Sequence, residues 1–351
     1  SCLLTLINPF FFGHMGINPK DPILFTFLIW TIFYFIKYLE NINLKRFKYL
    51  ILLSVFIGLG SNTRITFLSL LFPLILFGIY YVWINTKSLR IIFADLFTVS
   101  LISFLLIIII WPHFHNGDYG LILENIKQSS QWLISVKYGI INGNFYEVQN
   151  TPRSYLFQVF LTRMPIFIII LFFLSYFIFF TKINYYKINI DKNIISKFAL
   201  LNIIFYWPIF ILFVSKINLY DNLRLVLFLI PILSTIASFG LWYLVKNYAL
   251  SNFYYKFILI FILFLNILFF IRFIPLTPYN YIYVNYISSP KFSNSQDKFE
   301  HDYWLTSIGE LAYKIKDKFG KESTKLKIAL CGGRALTHGY YFSSVLGNFN
   351  I

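Results

Sequence analysis

Acidic side chains and thiols are scarce in this chain of 351 residues, with 14 Asp and Glu and two Cys. Two cysteines, Cys2 and Cys331, exclude a disulfide scaffold. Charged residues reach only 13%, about half the share of a typical soluble domain. No Gly-x-Gly-x-x-Gly, Walker loop, His-Glu-x-x-His or Cys-x-x-Cys occurs, so none of the chemistries tied to those motifs is signalled. No internal repeat is visible. There is no Met at the start and no basic-then-apolar leader pattern. What is abundant is apolar side chain: 58% hydrophobic and 22% aromatic residues. A disordered chain cannot carry that much, and a polytopic membrane protein can.

A helix needs about 20 mostly apolar residues to cross the hydrocarbon layer. Segments of that kind lie near 22–39, 47–60, 65–85, 91–111, 155–181, 198–215, 223–245 and 257–274, and residues 1–12 read as the tail of an earlier one. The expected fold is therefore an all-α polytopic membrane protein with about eight transmembrane helices. Residues 1–274 form the transmembrane domain. Its loop 112–154 carries a surface helix over 120–141, from the spacing of Leu121, Ile122, Ile126, Trp132, Leu133 and Val136. Residues 275–351 form a small C-terminal extracytoplasmic α/β tail, with a helix over 303–319 and a buried strand from Lys325 to Cys331. Both ends of the chain read as internal cuts in a longer protein.

The net charge of +16 is explained by orientation. If 13–21 faces outward, Lys37, Lys45, Arg46, Lys48, Lys87, Arg90, Lys182, Lys187, Lys192, Lys197, Lys246 and Lys256 fall on the cytoplasmic side, against Glu40 and Asp191. The opposite loops carry Lys20, Arg64, Lys127, Lys137, Arg153, Lys216 and Arg224, nearly balanced by Asp21, Asp118, Glu124, Glu147 and Asp221. This is the positive-inside pattern, and no nucleic-acid partner is needed to account for the charge.

Ionisable groups at the outer helix ends are the candidates for chemistry. The first cluster is His14, Asn18, Lys20 and Asp21; Asp21 as an N-cap and Pro22 at the first helical position would explain part of it structurally. The second is Arg64, able to fork a phosphate or simply to snorkel. The third is Asp221 with Arg224, where Asp221 could cap the following helix. Arg163, before Pro165, lies deep enough to require a partner. His113 and His115 could bind a metal only with an acid from elsewhere, and an interfacial role is the better reading. Cys331 reads as a core residue rather than a nucleophile.

The stretch FFGHMGINPKDPILFTF resembles a Phe-Gly-His-x-x-x-Asn-Pro-Lys-Asp signature of bacterial glycosyltransferases. These are similar to the dolichyl-phosphate-mannose–protein mannosyltransferases (glycosyltransferase family 39, GT-C type). LYDNLRLVLFLIP at 219–231, TPYNYIYVN at 277–285, FEHDYWLTSIGEL at 299–311 and KIALCGG at 327–333 match in order. One departure is Arg224-Leu225, where the family commonly has Arg-His. The resemblance implies an inverting membrane glycosyltransferase, mannosyltransferase-like, at the periplasmic face of the bacterial inner membrane and serving the cell envelope. Its donor would be a polyprenyl-phosphate-linked sugar held at the lipid headgroups, and its acceptor a protein or glycolipid. Arg64, Asp221 and Arg224 would hold the donor phosphate, and His14, Asn18, Lys20 and Asp21 would position substrate. The resemblance places the catalytic base before Ser1, so no catalytic residue is expected in this stretch. The resemblance fixes no cofactor; a divalent cation is compatible with such enzymes, but no strong metal-ligand set is seen. A polytopic transporter or lipid-linked-sugar flippase is the alternative, but it would usually show inverted repeats.

Overall fold

A computed structural model describes residues 1–18, 20–42, 46–117, 120–121, 124, 138–181, 192–215, 219–248, 253–303, 305–320 and 335–346. Two short helices open the chain, α1 (Cys2–Leu6) and α2 (Pro9–Ile17). Four longer ones follow: α3 (Lys20–Glu40), α4 (Arg46–Thr63), α6 (Phe72–Thr86), which the single turn α5 (Phe67–Leu70) precedes, and α7 (Leu89–Ile110). A short α8 (Pro112–His115) and a hairpin of β1 (Tyr138–Ile141) and β2 (Asn144–Glu147) lead to α9 (Tyr155–Arg163), α10 (Ile166–Thr181) and α11 (Lys192–Ser215). A 3-10 stretch (Arg224–Leu229) runs into α12 (Ile230–Tyr248), and α13 (Phe253–Phe273) closes the bundle. The described tail adds three 3-10 turns and the helices α14 (Ile308–Phe319) and α15 (Ala335–Leu346).

The all-α polytopic reading stands. Among the described residues, six helices are long and apolar enough to cross a membrane, and a bent pair makes up to seven. Two expected spans differ from the simple reading. α4 has 18 residues, about 27 Å of helix, and its apolar run is cut by Arg46 and Lys48 at one end and Ser61–Thr63 at the other. The 155–181 segment is broken: α9 and α10 meet at 115°. Pro165 explains the break, because proline lacks the N–H needed to continue a helix and disfavours helical geometry in the residue before it. Met164 is accordingly extended, at φ −77° and ψ 145°. Likewise residues 1–12 are not one helix end. Asn8 interrupts them and caps α2, accepting from the Phe10 and Phe11 amides at 3.1 and 3.3 Å.

The helices approach closely through small residues, as membrane helices do. Ser103 Oγ donates to the Ser54 carbonyl at 2.9 Å, joining α7 to α4. Gly240 on α12 lies against α10: its N–H donates to Ser175 Oγ at 2.9 Å, and Ser175 Oγ donates to the Ile236 carbonyl at 2.6 Å. A Cβ on Gly240 would stand 2.7 Å from Ser175 Oγ. At the end of α7 remote from the hairpin, Asp95 is buried between Arg46 Nε (3.2 Å) and Tyr38 Oη (2.7 Å), so its charge is paired across three helices.

The hairpin corrects the expected surface helix over 120–141, whose last four residues are β1; residues 122–123 and 125–137 lie outside the described residues. Tyr138 pairs with Glu147 and Ile141 with Asn144. Asn142-Gly143 makes the turn with φ of 52° and 82°, the geometry that an Asn-Gly pair supplies in a two-residue hairpin. The hairpin takes in the tail through an isolated bridge from Ile141 to Phe299 and a 3.0 Å hydrogen bond from Gly143 N to Lys298 O. The expected strand from Lys325 to Cys331 lies outside the described residues. α14 and α15 share a small core of Ala312, Phe342, Val345 and Leu346.

Asn142 at the hairpin tip and Lys87 after α6 are both exposed. With Cys2 and Cys331 replaced by Ser, an Asn142→Cys variant should react with a membrane-impermeant maleimide on intact cells. A Lys87→Cys variant should react only after permeabilisation. The reverse pattern would invert the orientation read from the Lys and Arg distribution.

Candidate active site on the hairpin face

Gly13 and His14 sit on α2 where the tail crosses it. A Cβ on Gly13 would fall 2.3 Å from the Tyr281 backbone nitrogen, so only glycine permits this approach. His14 is fully buried. Its Nδ1 lies 2.8 Å from the Phe10 carbonyl and its Nε2 lies 3.1 Å from Tyr303 Oη. Tyr281 packs edge-on to the same ring. The Gly13-His14 pair and the Asp302-Tyr303 pair, distant in sequence, are thus in one contact. His14 is therefore occupied as a strut between bundle and tail.

Asp21 is 3% exposed and stands in the first turn of α3. Because α3 starts at Lys20, Asp21 is not its N-cap and Pro22 is not its first residue. Its carboxylate instead meets three side chains. Asn18 Nδ2 donates to Oδ2, Arg64 Nη2 is 3.4 Å from Oδ1, and Arg224 Nε is 3.5 Å from Oδ2. Arg224 Nη1 also bonds Asp221 Oδ2 at 2.6 Å. The arginine side chains are 13% and 19% exposed, too enclosed for snorkelling at a lipid surface. Asp221 does not cap the following helix: its own backbone is left-handed, at φ 56°, and its carboxylate serves Arg224. Burial raises the Asp221 pKa, against the lowering effect of Arg224. Lys20 is exposed at the start of α3, within electrostatic reach of Asp21, Arg64 and Arg224.

The structure thus brings Asn18, Asp21, Arg64, Asp221 and Arg224 together from four parts of the chain, with Lys20 at the edge and His14 behind. Three cations (Lys20, Arg64 and Arg224) stand around two carboxylates (Asp21 and Asp221) among the described residues. Among the described residues, no three His, Cys, Asp or Glu side chains gather to hold a metal ion. His113 and His115 do not join the cluster; His115 Nε2 lies 2.9 Å from the Ile109 carbonyl at the end of α7. An apolar groove of about 630 Å³ runs between α9, α10, α11 and the 219–233 segment. Leu223, Val226 and Ile230 line it, and Arg153 stands among its lining residues.

Two groups behind the cluster carry more than the sequence suggested. Arg163, fully buried at the α9–α10 break, meets the partners its depth required. It donates to the carbonyls of Ile282 (2.8 Å), Tyr283 (3.1 Å) and Glu300 (2.5 Å). It is a staple between the bundle and the tail. Glu300 was not singled out from sequence. Burial, and after it the Asp221 carboxylate, raise its pKa to about 7 against the lowering effect of Arg163. Next to it, burial and then Arg163 lower the His301 pKa to about 4. Burial raises the Asp302 pKa, but hydrogen bonds from Ser307, Tyr281 and the Ser307 and Thr306 amides outweigh it and hold that carboxylate low. The run of four polar or aromatic groups in Glu300-His301-Asp302-Tyr303 was the available signal, since such a run rarely serves only as loop surface.

A profile of the family described as dolichyl-phosphate-mannose-protein mannosyltransferase matches residues 1–113. That stretch holds His14, Asn18, Lys20, Asp21 and Arg64, and the match supports the resemblance drawn from the Gly13–Asp21 motif. No curated protein and no solved structure matches the chain.

Arg163→Met keeps the bulk and removes the donors, leaving three buried carbonyls unsatisfied at about 1–3 kcal/mol each. The expected result of limited proteolysis is cleavage in 274–307 at protease levels the parent resists. Equal resistance would show that the tail is held by other means.

Proposed function

We propose that this chain moves a sugar from a polyprenyl-phosphate donor to a hydroxyl-bearing acceptor, with inversion at the anomeric carbon, on the face that carries the hairpin. The family match supports a membrane glycosyltransferase of the GT-C type. The observation that carries the finer reading is Asp21, a buried carboxylate of the matched stretch, held between Arg64 and Arg224 from separate helices. The Lys and Arg distribution directs that face away from the cytoplasm, toward the periplasm if the host is a bacterium.

The chemistry follows from the charges. The acceptor oxygen forms a bond to the anomeric carbon as the bond from that carbon to the phosphate oxygen breaks. The acceptor proton passes to a base, and the polyprenyl phosphate leaves with an added negative charge. Cations fixed in a partly dry site stabilise that charge most as it develops. Arg64 and Arg224 supply them, with Lys20 at the exposed edge. Asp21 is suited to aiming the guanidinium groups rather than to taking the proton, because both its oxygens are already engaged. The groove lined by Leu223 and Val226, neighbours of Arg224 in the chain, gives the polyprenyl chain an apolar path. The donor headgroup and tail would then be held by one short stretch of chain.

The test is transfer of labelled sugar from polyprenyl phosphate to membrane acceptors, with full-length protein in lipid. Asp21→Asn and Arg224→Gln should each lower turnover by about 100-fold or more while the protein still inserts. Turnover within twofold of the parent in both would remove them from the site. Movement of donor across the bilayer without transfer would support the flippase reading instead.

A further inference from the structure

We propose that Glu300 is a positioning residue of this site: its carboxyl braces the left-handed Asp221-Asn222 turn and so sets where the Asp221–Arg224 pair stands over Asp21. The inference rests on the functional reading above and adds a residue from the tail.

The turn needs a brace. Asp221 and Asn222 have φ of 56° and 58°, two consecutive left-handed residues; Asp and Asn tolerate that region better than other side chains, but glycine alone adopts it without cost. Such backbone persists only where its surroundings over-determine it. Part of the restraint is visible. The Asn222 amide donates to Tyr155 Oη at 3.0 Å. Leu219 is held on both sides by Thr151, at 3.3 Å through its N–H and 3.2 Å through its carbonyl. Glu300 Oε1 lies 3.5 Å from Tyr146 Oη, and the same hydroxyl lies 3.4 Å from the Leu219 carbonyl, so Tyr146 links the carboxyl to the segment that enters the turn; the Asn222 and Ile140 amides are its other neighbours. Its Oε2 and the Asn222 Nδ2 are both enclosed without a hydrogen-bond partner.

Glu300 is itself anchored. Its carbonyl takes the Arg163 Nη2 bond, and Phe299 bridges Ile141 of the hairpin. The brace therefore transmits the position of tail and hairpin to Arg224. The groups facing Glu300 are Asp221 from the turn, Arg163 and Tyr155 from α9, Tyr146 from β2, and Tyr303 from its own segment. With a pKa near 7, Glu300 is neutral below that pH and ionised above it. The ionised form accepts the Asn222 amide more strongly. The donor phosphodiester does not titrate in this range, so a pH effect on donor binding reports the protein.

The experiment measures donor KM and kcat for the full-length parent, Glu300→Ala and Glu300→Gln in lipid between pH 5.5 and 8.5, with thermal stability recorded alongside. The parent should bind donor best above pH 7. Glu300→Gln should hold the parent's low-pH KM at every pH. Glu300→Ala should lower kcat/KM about tenfold through a raised KM and a lowered kcat together, because Arg224 both holds the donor phosphate and meets the charge that grows on it. Adding Asn222→Gly to Glu300→Ala should restore part of the loss, since glycine adopts positive φ freely. KM values and pH profiles equal to the parent's would overturn the proposal, as would a fall in stability and kcat with KM unmoved. If the parent transfers no sugar, the proposed function fails, and the brace is then read from binding of polyprenyl phosphate alone. That affinity must still fall in Glu300→Ala, and no change, or no binding by the parent, would end the proposal too.

Discussion

A carboxylate with almost no access to solvent must be paired, and Asp21 is paired twice. Removing one guanidinium would leave the other partners with an uncompensated buried charge, which is far costlier than losing a surface ion pair. That requirement ties α3 to the end of α4 and to the 3-10 stretch before α12, three places with no sequence proximity. The pairing therefore fixes the relative height of helix ends on one face. Packing alone fixes such heights poorly in a bilayer, where apolar helix surfaces gain little by choosing one another over lipid. Small residues such as Gly58, Ser54, Ser175 and Gly240 allow close contact between helices, and the charges set the register.

The tail is joined by a different device. Arg163 satisfies three backbone carbonyls, and Arg272 does the same with Val284, Ser289 and Pro290 at 2.7–2.8 Å. Irregular backbone crossing a helical bundle brings carbonyls that no ladder satisfies, and an arginine fork meets several at once. The tail and hairpin in this way become a floor behind Arg224. The contact of His14 with Tyr303, and the close passage of Tyr281 over Gly13, place the two most distinctive sequence motifs against each other. Their joint presence in the sequence has a packing reason as well as the chemical one proposed for their neighbours.

Much of this was legible beforehand. Apolar length locates the spans, and the Lys and Arg asymmetry alone groups Asp21, Arg64, Asp221 and Arg224 on one side. Their convergence could not be read, because a side fixes depth but not the angular position of each helix. The break at Met164-Pro165 is foreseeable from Pro165 and from Gln158, Thr162 and Arg163 before it, yet the apolar length of 155–181 as a whole reads as one span. The hairpin was missed in a similar way: helical spacing upstream was carried through Tyr138–Ile141, while Asn142-Gly143 between two β-prone runs was the stronger local signal. Glu300 carries only the weak signal of its place in the Glu300–Tyr303 run, because its significance comes from burial and from Asp221, neither of which sequence distance reveals. Lys20 was placed with the site and lies at its exposed edge.

The central claim is that the arginines around Asp21 form a site for a lipid-borne phosphate. The most direct measurement compares binding of short-chain polyprenyl phosphate with that of the same polyprenol, using full-length protein in nanodiscs and its Arg64→Gln, Arg224→Gln double variant. The account predicts strong preference for the phosphate in the parent, weakened by salt, and no preference in the variant. Equal binding of phosphate and alcohol by the parent, or a preference unchanged in the variant, would contradict it.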